Sequence, residues 1–151
     1  MKQELNAILS FGAQAVSNTK NVFDEAAGVS LDRLIQGNSN YKSTSVNPAK
    51  LTSELRENTA INGQTPLAVV VCCSDSRVPL EHIFHAGIGE LFVIRNAGNL
   101  ISTFDLGSVE YAVEHLGTPL VLLMGHTNCG AVGAALSPVQ EKGGQIGRAS
   151  C

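Results

Sequence analysis

The chain has 151 residues, 44% hydrophobic and 15% charged, with a formal net charge of −3. That length suits a single domain with a real core, and the composition excludes a disordered, collagen-like or disulfide-scaffolded chain. The small negative charge leaves no electrostatic footprint for nucleic acid or an anionic membrane, and the longest apolar runs, Leu67–Cys73 and Pro119–Met124, are far too short to span a bilayer.

No charged stretch leads into an apolar one at the start, so no secretory signal is expected and the chain reads as cytoplasmic. Leu5, Ile8 and Leu9 share one face of a predicted first helix, which Gly12, Ala15 and Val16 continue. A second helix is expected to open at Ser30 as N-cap, with Asp32 in its first turn and Leu31, Leu34 and Ile35 on one face. Gly37 is expected to stop it. Asn47-Pro48 marks a third helix start, with Leu51 and Leu55 one turn apart.

After Gly63-Gln64-Thr65-Pro66 the pattern changes. Leu67–Cys73 is a continuous apolar, β-branched run, as expected of a strand buried on both faces, and Leu91–Ile94 and Leu120–Met124 repeat it. Between the last two lies an amphipathic helix with Leu106, Val109, Val113 and Leu116 on one side, ended by Gly117 and Pro119. Strand, helix and strand in this order predict an α/β fold: a mainly parallel β-sheet core flanked by helices, with an N-terminal helical extension. Residues 1–151 read as one domain, helical over 1–60 and α/β over 64–137.

Ligands in such sheets bind beyond the carboxyl ends of the strands. The first strand runs into Cys73-Ser74-Asp75-Ser76-Arg77 and the third into His126-Thr127-Asn128-Cys129-Gly130. Parallel neighbours would bring Cys73, His126 and Cys129 to one edge, a Cys₂His set suited to a catalytic zinc with one open position. In an extended loop, residues two apart point the same way, so Arg77 can orient Asp75 and keep it ionised. Asp75 can then accept a hydrogen bond from a metal-bound hydroxide or become a fourth ligand, and both remain open. Cys72 alternates away from Cys73 and reads as a small core residue. Glu81, His82 and His85 lack a good third ligand, and His115 suits a solvent-facing helix end.

Four motifs carry a resemblance: C-S-D-S-R-V-P at 73–79, F-V-I-R-N-A-G-N at 92–99, V-E-Y-A-V at 109–113 and G-H-T-N-C-G-A at 125–131. In order and separation they resemble the β-class carbonic anhydrases, and Leu31–Asn38 resembles the helix ahead of that family's core, so the similarity covers residues 28–137. The resemblance implies a zinc ion (Zn²⁺) held by Cys73, His126 and Cys129, with Asp75 and Arg77 as catalytic pair. The implied reaction is reversible hydration of carbon dioxide to bicarbonate and a proton by zinc-bound hydroxide. Further positions match the plant-type branch: Gln64, a substrate-contacting glutamine; Phe92 and Tyr111, pocket-lining aromatics that would otherwise read as core; and Gly130, a backbone N–H donor. In that branch the glutamine and aromatics come from the neighbouring subunit, which implies a homodimer or higher homo-oligomer. Val70 stands where the bicarbonate-gated branch carries tryptophan, so the ungated type is implied. Members continue for several tens of residues past the H-x-x-C loop, so a chain shortened at its C-terminus is expected. The alternatives are a carbonyl sulfide or carbon disulfide hydrolase on the same scaffold, or a zinc-binding assembly subunit without turnover.

Overall fold

A strand made only of small, β-branched and thiol side chains has no polar face to offer to water, so it is stable only between two layers. In the computed structural model, which describes residues 2–43 and 51–136, Ala68–Cys73 is that strand, β1, with all six residues buried. Leu91–Asn96 (β2) and Val121–Met124 (β3) pair with it in parallel on either side, in the order β2-β1-β3. The register sets Val69 opposite Phe92, Cys73 opposite Asn96 and Cys72 opposite Met124. All three carboxyl ends therefore meet at one edge of the sheet.

Side chains alternate across β1. Ala68, Val70 and Cys72 enter one cluster with Leu34, Leu80, Phe84, Ala86 and Leu91, while Val69 and Val71 join Ile94 and Ala112 in the other. Burying each of the three valines contributes about 1.5–3 kcal/mol relative to exposure. The first face is covered by the helix Lys2–Ser43 (α1) and the short helix Leu80–Ile83 (α3), which follows Ser53–Asn62 (α2) in the chain. The second is covered by Thr103–His115 (α4). The architecture is α/β around a parallel sheet, as expected. No helix among the described residues is long and apolar enough to cross a membrane.

Several expectations for single elements give way. Ser30 does not cap a second helix and Gly37 does not stop one, because α1 runs unbroken through both. Its buried residues there are Ser30, Leu34 and Gly37, while Leu31 and Ile35 are exposed. Gly37 is there for proximity: a Cβ would collide with the Phe84 carbonyl. Arg33 donates to the carbonyls of Phe84 (3.4 Å) and His85 (3.0 Å), and Asn38 donates to that of Ile83 (3.3 Å), fastening α1 to α3. The Asn47-Pro48 start lies outside the described residues. α2 instead begins after Thr52, whose hydroxyl accepts the Leu55 N–H at 3.2 Å, so Leu51 precedes the helix rather than pairing with Leu55 on it.

β3 is an edge strand: Val121 and Leu123 are exposed while Leu122 and Met124 pack on the first cluster, so this run is not buried on both faces. On α4, Leu106 and Val113 are exposed, and the packing residues are Val109, Ala112 and the C-cap Leu116. Only a narrow stripe of this 13-residue helix touches the sheet. A Ser102–Asp105 capping box starts it.

Candidate metal centre

Cys73 ends β1, and the chain leaving β3 carries His126 and Cys129 before entering the helix Gly130–Leu136 (α5). The donor atoms of these three residues all lie within 4.8 Å of one another, the one such His/Cys/Asp/Glu group found among the described residues. The Cys73 and Cys129 sulfurs are 3.7 Å apart. Two thiolates at about 2.3 Å from a tetrahedral zinc would be separated by about 3.8 Å. His126 Nδ1 faces the Thr127 carbonyl at 3.0 Å, and a carbonyl only accepts, so Nδ1 carries the proton. Nε2 is then a free lone pair, and it is buried without a hydrogen-bond partner. Two sulfurs at a tetrahedral edge and an orphaned imidazole nitrogen beside them fit a metal ion of zinc's preferences.

The two adjacent thiols differ as their environments differ. Burial pushes the Cys72 thiol up, as suits a core residue. The Gly98 N–H, which donates to the Cys73 sulfur at 3.4 Å, is the largest influence bringing Cys73 down to about 6. Gly98 reaches it at φ +87°, a conformation open to glycine, from a loop that Asn96 closes by hydrogen bonds to both N–H and carbonyl of Leu100.

Asp75 and Arg77 meet, though not through an extended loop. Residues 75–78 form a turn in which Val78 N–H donates to the Asp75 carbonyl (3.2 Å) and Arg77 N–H to Asp75 Oδ1 (3.0 Å). An aspartate side chain readily bonds its own backbone two residues on, and that folds the segment here. The guanidinium closes a two-pronged pair with the carboxylate and holds its pKa well below the usual carboxylate range. Asp75 Oδ2 stands 3.9 Å from His126 Nε2, so the carboxylate borders the metal position.

The structure thus brings Cys73, His126, Cys129, Asp75 and Arg77 together, with Gly130 next to Cys129 at the start of α5. It does not bring Gln64, Phe92 and Tyr111 to them within one chain. Phe92 lies four residues before Asn96, the register partner of Cys73, about 13 Å along the strand. It stacks with Tyr111 at 6.0 Å between centroids, and Tyr111 with the exposed His115 at 5.5 Å. Gln64 precedes β1 at the amino edge of the sheet and lines a separate cavity of ≈ 290 Å³ with Arg56, Thr59 and Ile88. Arg95 was not singled out by its sequence. Its Nε donates to the Cys73 carbonyl at 3.1 Å and its NH2 to the Asp75 carbonyl at 2.6 Å. An arginine near the carboxyl end of a strand parallel to the ligand-bearing one was the available signal.

Residues 68–149 match the carbonic anhydrase family model. Over 79 residues the chain is 51% identical to carbonic anhydrase 2 of Mycobacterium tuberculosis, covering 52% of this chain and 38% of that one. A tetrameric β-carbonic anhydrase of Sordaria macrospora aligns with a TM-score of 0.56 at 34% identity, over 64% of this chain and 50% of its own. The Coccomyxa β-carbonic anhydrase crystallised with acetazolamide aligns at 0.52 and 36% identity, over 56% of this chain and 40% of its own. The chain therefore spans about two fifths to one half of the length of these relatives.

Proposed function

Since the chain belongs to the β-class carbonic anhydrase family, we propose that it is a zinc enzyme catalysing the reversible hydration of carbon dioxide to bicarbonate and a proton. The observation that carries this reading is the convergence of the Cys73, His126 and Cys129 donors within 4.8 Å, with the ionised Asp75 carboxylate 3.9 Å from His126 Nε2. Zinc held there supplies the Lewis acidity that makes hydroxide available near neutral pH.

The chain's own residues do the rest. His126 offers Nε2 because its Nδ1–H donates a hydrogen bond to the Thr127 carbonyl. Asp75, kept anionic by Arg77, accepts a hydrogen bond from the attacking water and turns its lone pair toward carbon dioxide. Gly130 N–H and Gln64 hydrogen-bond the bicarbonate oxygens, and Phe92 and Tyr111 form the apolar wall. Because Gln64, Phe92 and Tyr111 lie away from the cluster of their own chain, they serve the site of a neighbouring subunit, and the working form is a homodimer or higher homo-oligomer. Val70, standing where the bicarbonate-gated branch carries tryptophan, supports the ungated type. Thiolate ligands persist in a reducing compartment, which supports a cytoplasmic location.

The test is stopped-flow carbon dioxide hydration per bound zinc at about pH 8.5, above the ~7 at which three neutral histidines ionise zinc-bound water. Rapid turnover that vanishes in Asp75→Asn is expected. One zinc per chain without turnover would instead make this a zinc-stabilised assembly module.

A further inference from the structure

Arg95 makes an unusual pair of contacts for a charged side chain beside a thiolate cluster. It carries a delocalised positive charge on a rigid fork, and both of its hydrogen bonds go to main-chain carbonyls, at Cys73 (3.1 Å) and Asp75 (2.6 Å). Those two carbonyls belong to the Cys73–Ser74 and Asp75–Ser76 peptide planes, on either side of the Ser74–Asp75 peptide. Holding both from one planar group fixes the torsions between them, and therefore the direction in which each side chain leaves the backbone. The two side chains so directed are the Cys73 sulfur, 3.7 Å from Cys129, and the Asp75 carboxylate, 3.9 Å from His126.

The fork is itself anchored. Arg95 lies in β2 opposite Cys72, one residue before the Cys73–Asn96 pair, so the sheet sets its distance to the loop it holds. Three residues further on, the Gly98 N–H donates to the Cys73 sulfur. The end of β2 therefore grips Cys73 at two atoms, its carbonyl and its sulfur. Arg77, by contrast, controls only the Asp75 side chain and the Asn128 carbonyl.

We propose that Arg95 is a positioning residue of the metal centre: its guanidinium bridges the Cys73 and Asp75 carbonyls and so sets the ligand sulfur and the carboxylate in one fixed relation. This rests on the metal-binding reading above. It is tested in the full chain by zinc affinity, from competition with a chromophoric chelator, and by the visible spectrum of the cobalt(II)-substituted protein. Arg95→Met keeps the stem and removes the fork; Arg95→Lys keeps the charge but replaces two separated donors by one point. Both variants are expected to bind zinc roughly 10- to 100-fold more weakly, with altered cobalt bands, because the outer partners of a metal ligand hold its geometry.

Arg33→Met, which removes an arginine that holds two carbonyls away from the centre, is expected to lower thermal stability and leave the cobalt bands unchanged. Wild-type affinity and spectrum in Arg95→Met overturn the inference. So does full rescue by Arg95→Lys, which would assign the effect to charge alone, or an Arg33→Met spectrum altered to the same degree. Should Arg95→Met fail to fold, Arg95→Lys carries the same comparison. A wild-type chain that takes up neither zinc nor cobalt overturns the proposed function and this inference together.

Discussion

Arg77 occupies both oxygens of Asp75: Nε lies 2.9 Å from Oδ1 and NH2 2.8 Å from Oδ2. The same NH2 donates to the Asn128 carbonyl at 3.1 Å, so one guanidinium ties the turn after β1 to the H-x-x-C loop after β3. A carboxylate held at both ends stays ionised, here with one oxygen 3.9 Å from His126 Nε2. Asp75→Asn should keep its zinc and lose carbon dioxide hydration by about 10²–10⁴-fold, the range for a positioned proton-handling group. Arg77→Ala should lose activity too, with the Asp75 pKa returning toward the ordinary carboxylate value. Zinc content and stopped-flow rates measured together separate these effects from simple loss of metal.

Metal retention should follow the three donors. Cys73→Ser, Cys129→Ser or His126→Ala leaves two ligands, and each should drop zinc content from one per chain toward none after dialysis against a chelator. Because metal binding is linked to folding, the wild-type melting temperature should fall on zinc removal, and much less in these variants. Elemental analysis beside a thermal melt reads both, and full zinc occupancy in Cys129→Ser would move the centre elsewhere.

Gly37→Ala probes the contact of α1 with the sheet. The new methyl group meets the Phe84 carbonyl, a backbone atom that cannot rotate away, so the helix has to shift and strain the bonds from Arg33 and Asn38. A loss of about 1–3 kcal/mol is expected, as for overpacking in general. Urea denaturation measures it, and an unchanged midpoint would mean that α1 is not seated as described.

At the start of α4, Ser102 donates its hydroxyl (2.6 Å) and its N–H (2.8 Å) to Asp105 Oδ2. Those bonds hold the Asp105 pKa below its unfolded value of about 3.9. With the folded pKa depressed, the contribution is complete above that value and is lost as pH falls through the lower folded one. Asp105→Asn should therefore flatten the acid limb of the stability curve in that window. Ser102→Ala should cost about 1 kcal/mol at neutral pH. Melts of the metal-free protein from pH 2 to 7 carry the comparison, limited to the acid range.

If Gln64 serves the neighbouring subunit, two inactive variants should repair each other. Gln64→Ala and Asp75→Asn subunits, unfolded together and refolded as a mixture, would give mixed dimers with one intact site and one doubly damaged one. Random pairing then predicts recovery of about a quarter of wild-type activity. Recovery no greater than the sum of the parents would place Gln64 in its own chain's site or outside the chemistry.

The C-terminal half of α1 shows where sequence patterns mislead. Ser30 and Gly37 carry the chemistry of a helix start and a helix stop, yet both lie inside one helix, because Gly37 answers to the Phe84 carbonyl across the interface and not to its own termination. Similarly, Leu120–Met124 reads like Leu67–Cys73, but apolar character does not say which strand is central. Order β2-β1-β3 does, and it leaves Val121 and Leu123 exposed.

What the sequence determined by itself is the part whose chemistry is local: a buried strand run, thiols and an imidazole at strand ends, and an aspartate two residues before an arginine. Residue type and short spacing suffice there, since thiolates, imidazole and carboxylate have few other partners at that spacing. Only the tertiary structure decided which distant atoms share a space. It brought the Arg95 fork to two carbonyls 20 and 22 residues away, set the Gly98 N–H on the Cys73 sulfur, and left Gln64 and Phe92 away from the cluster they resemble partners of. Such contacts depend on strand order and register, and those follow from the packing of the whole sheet, which no short stretch of the chain specifies.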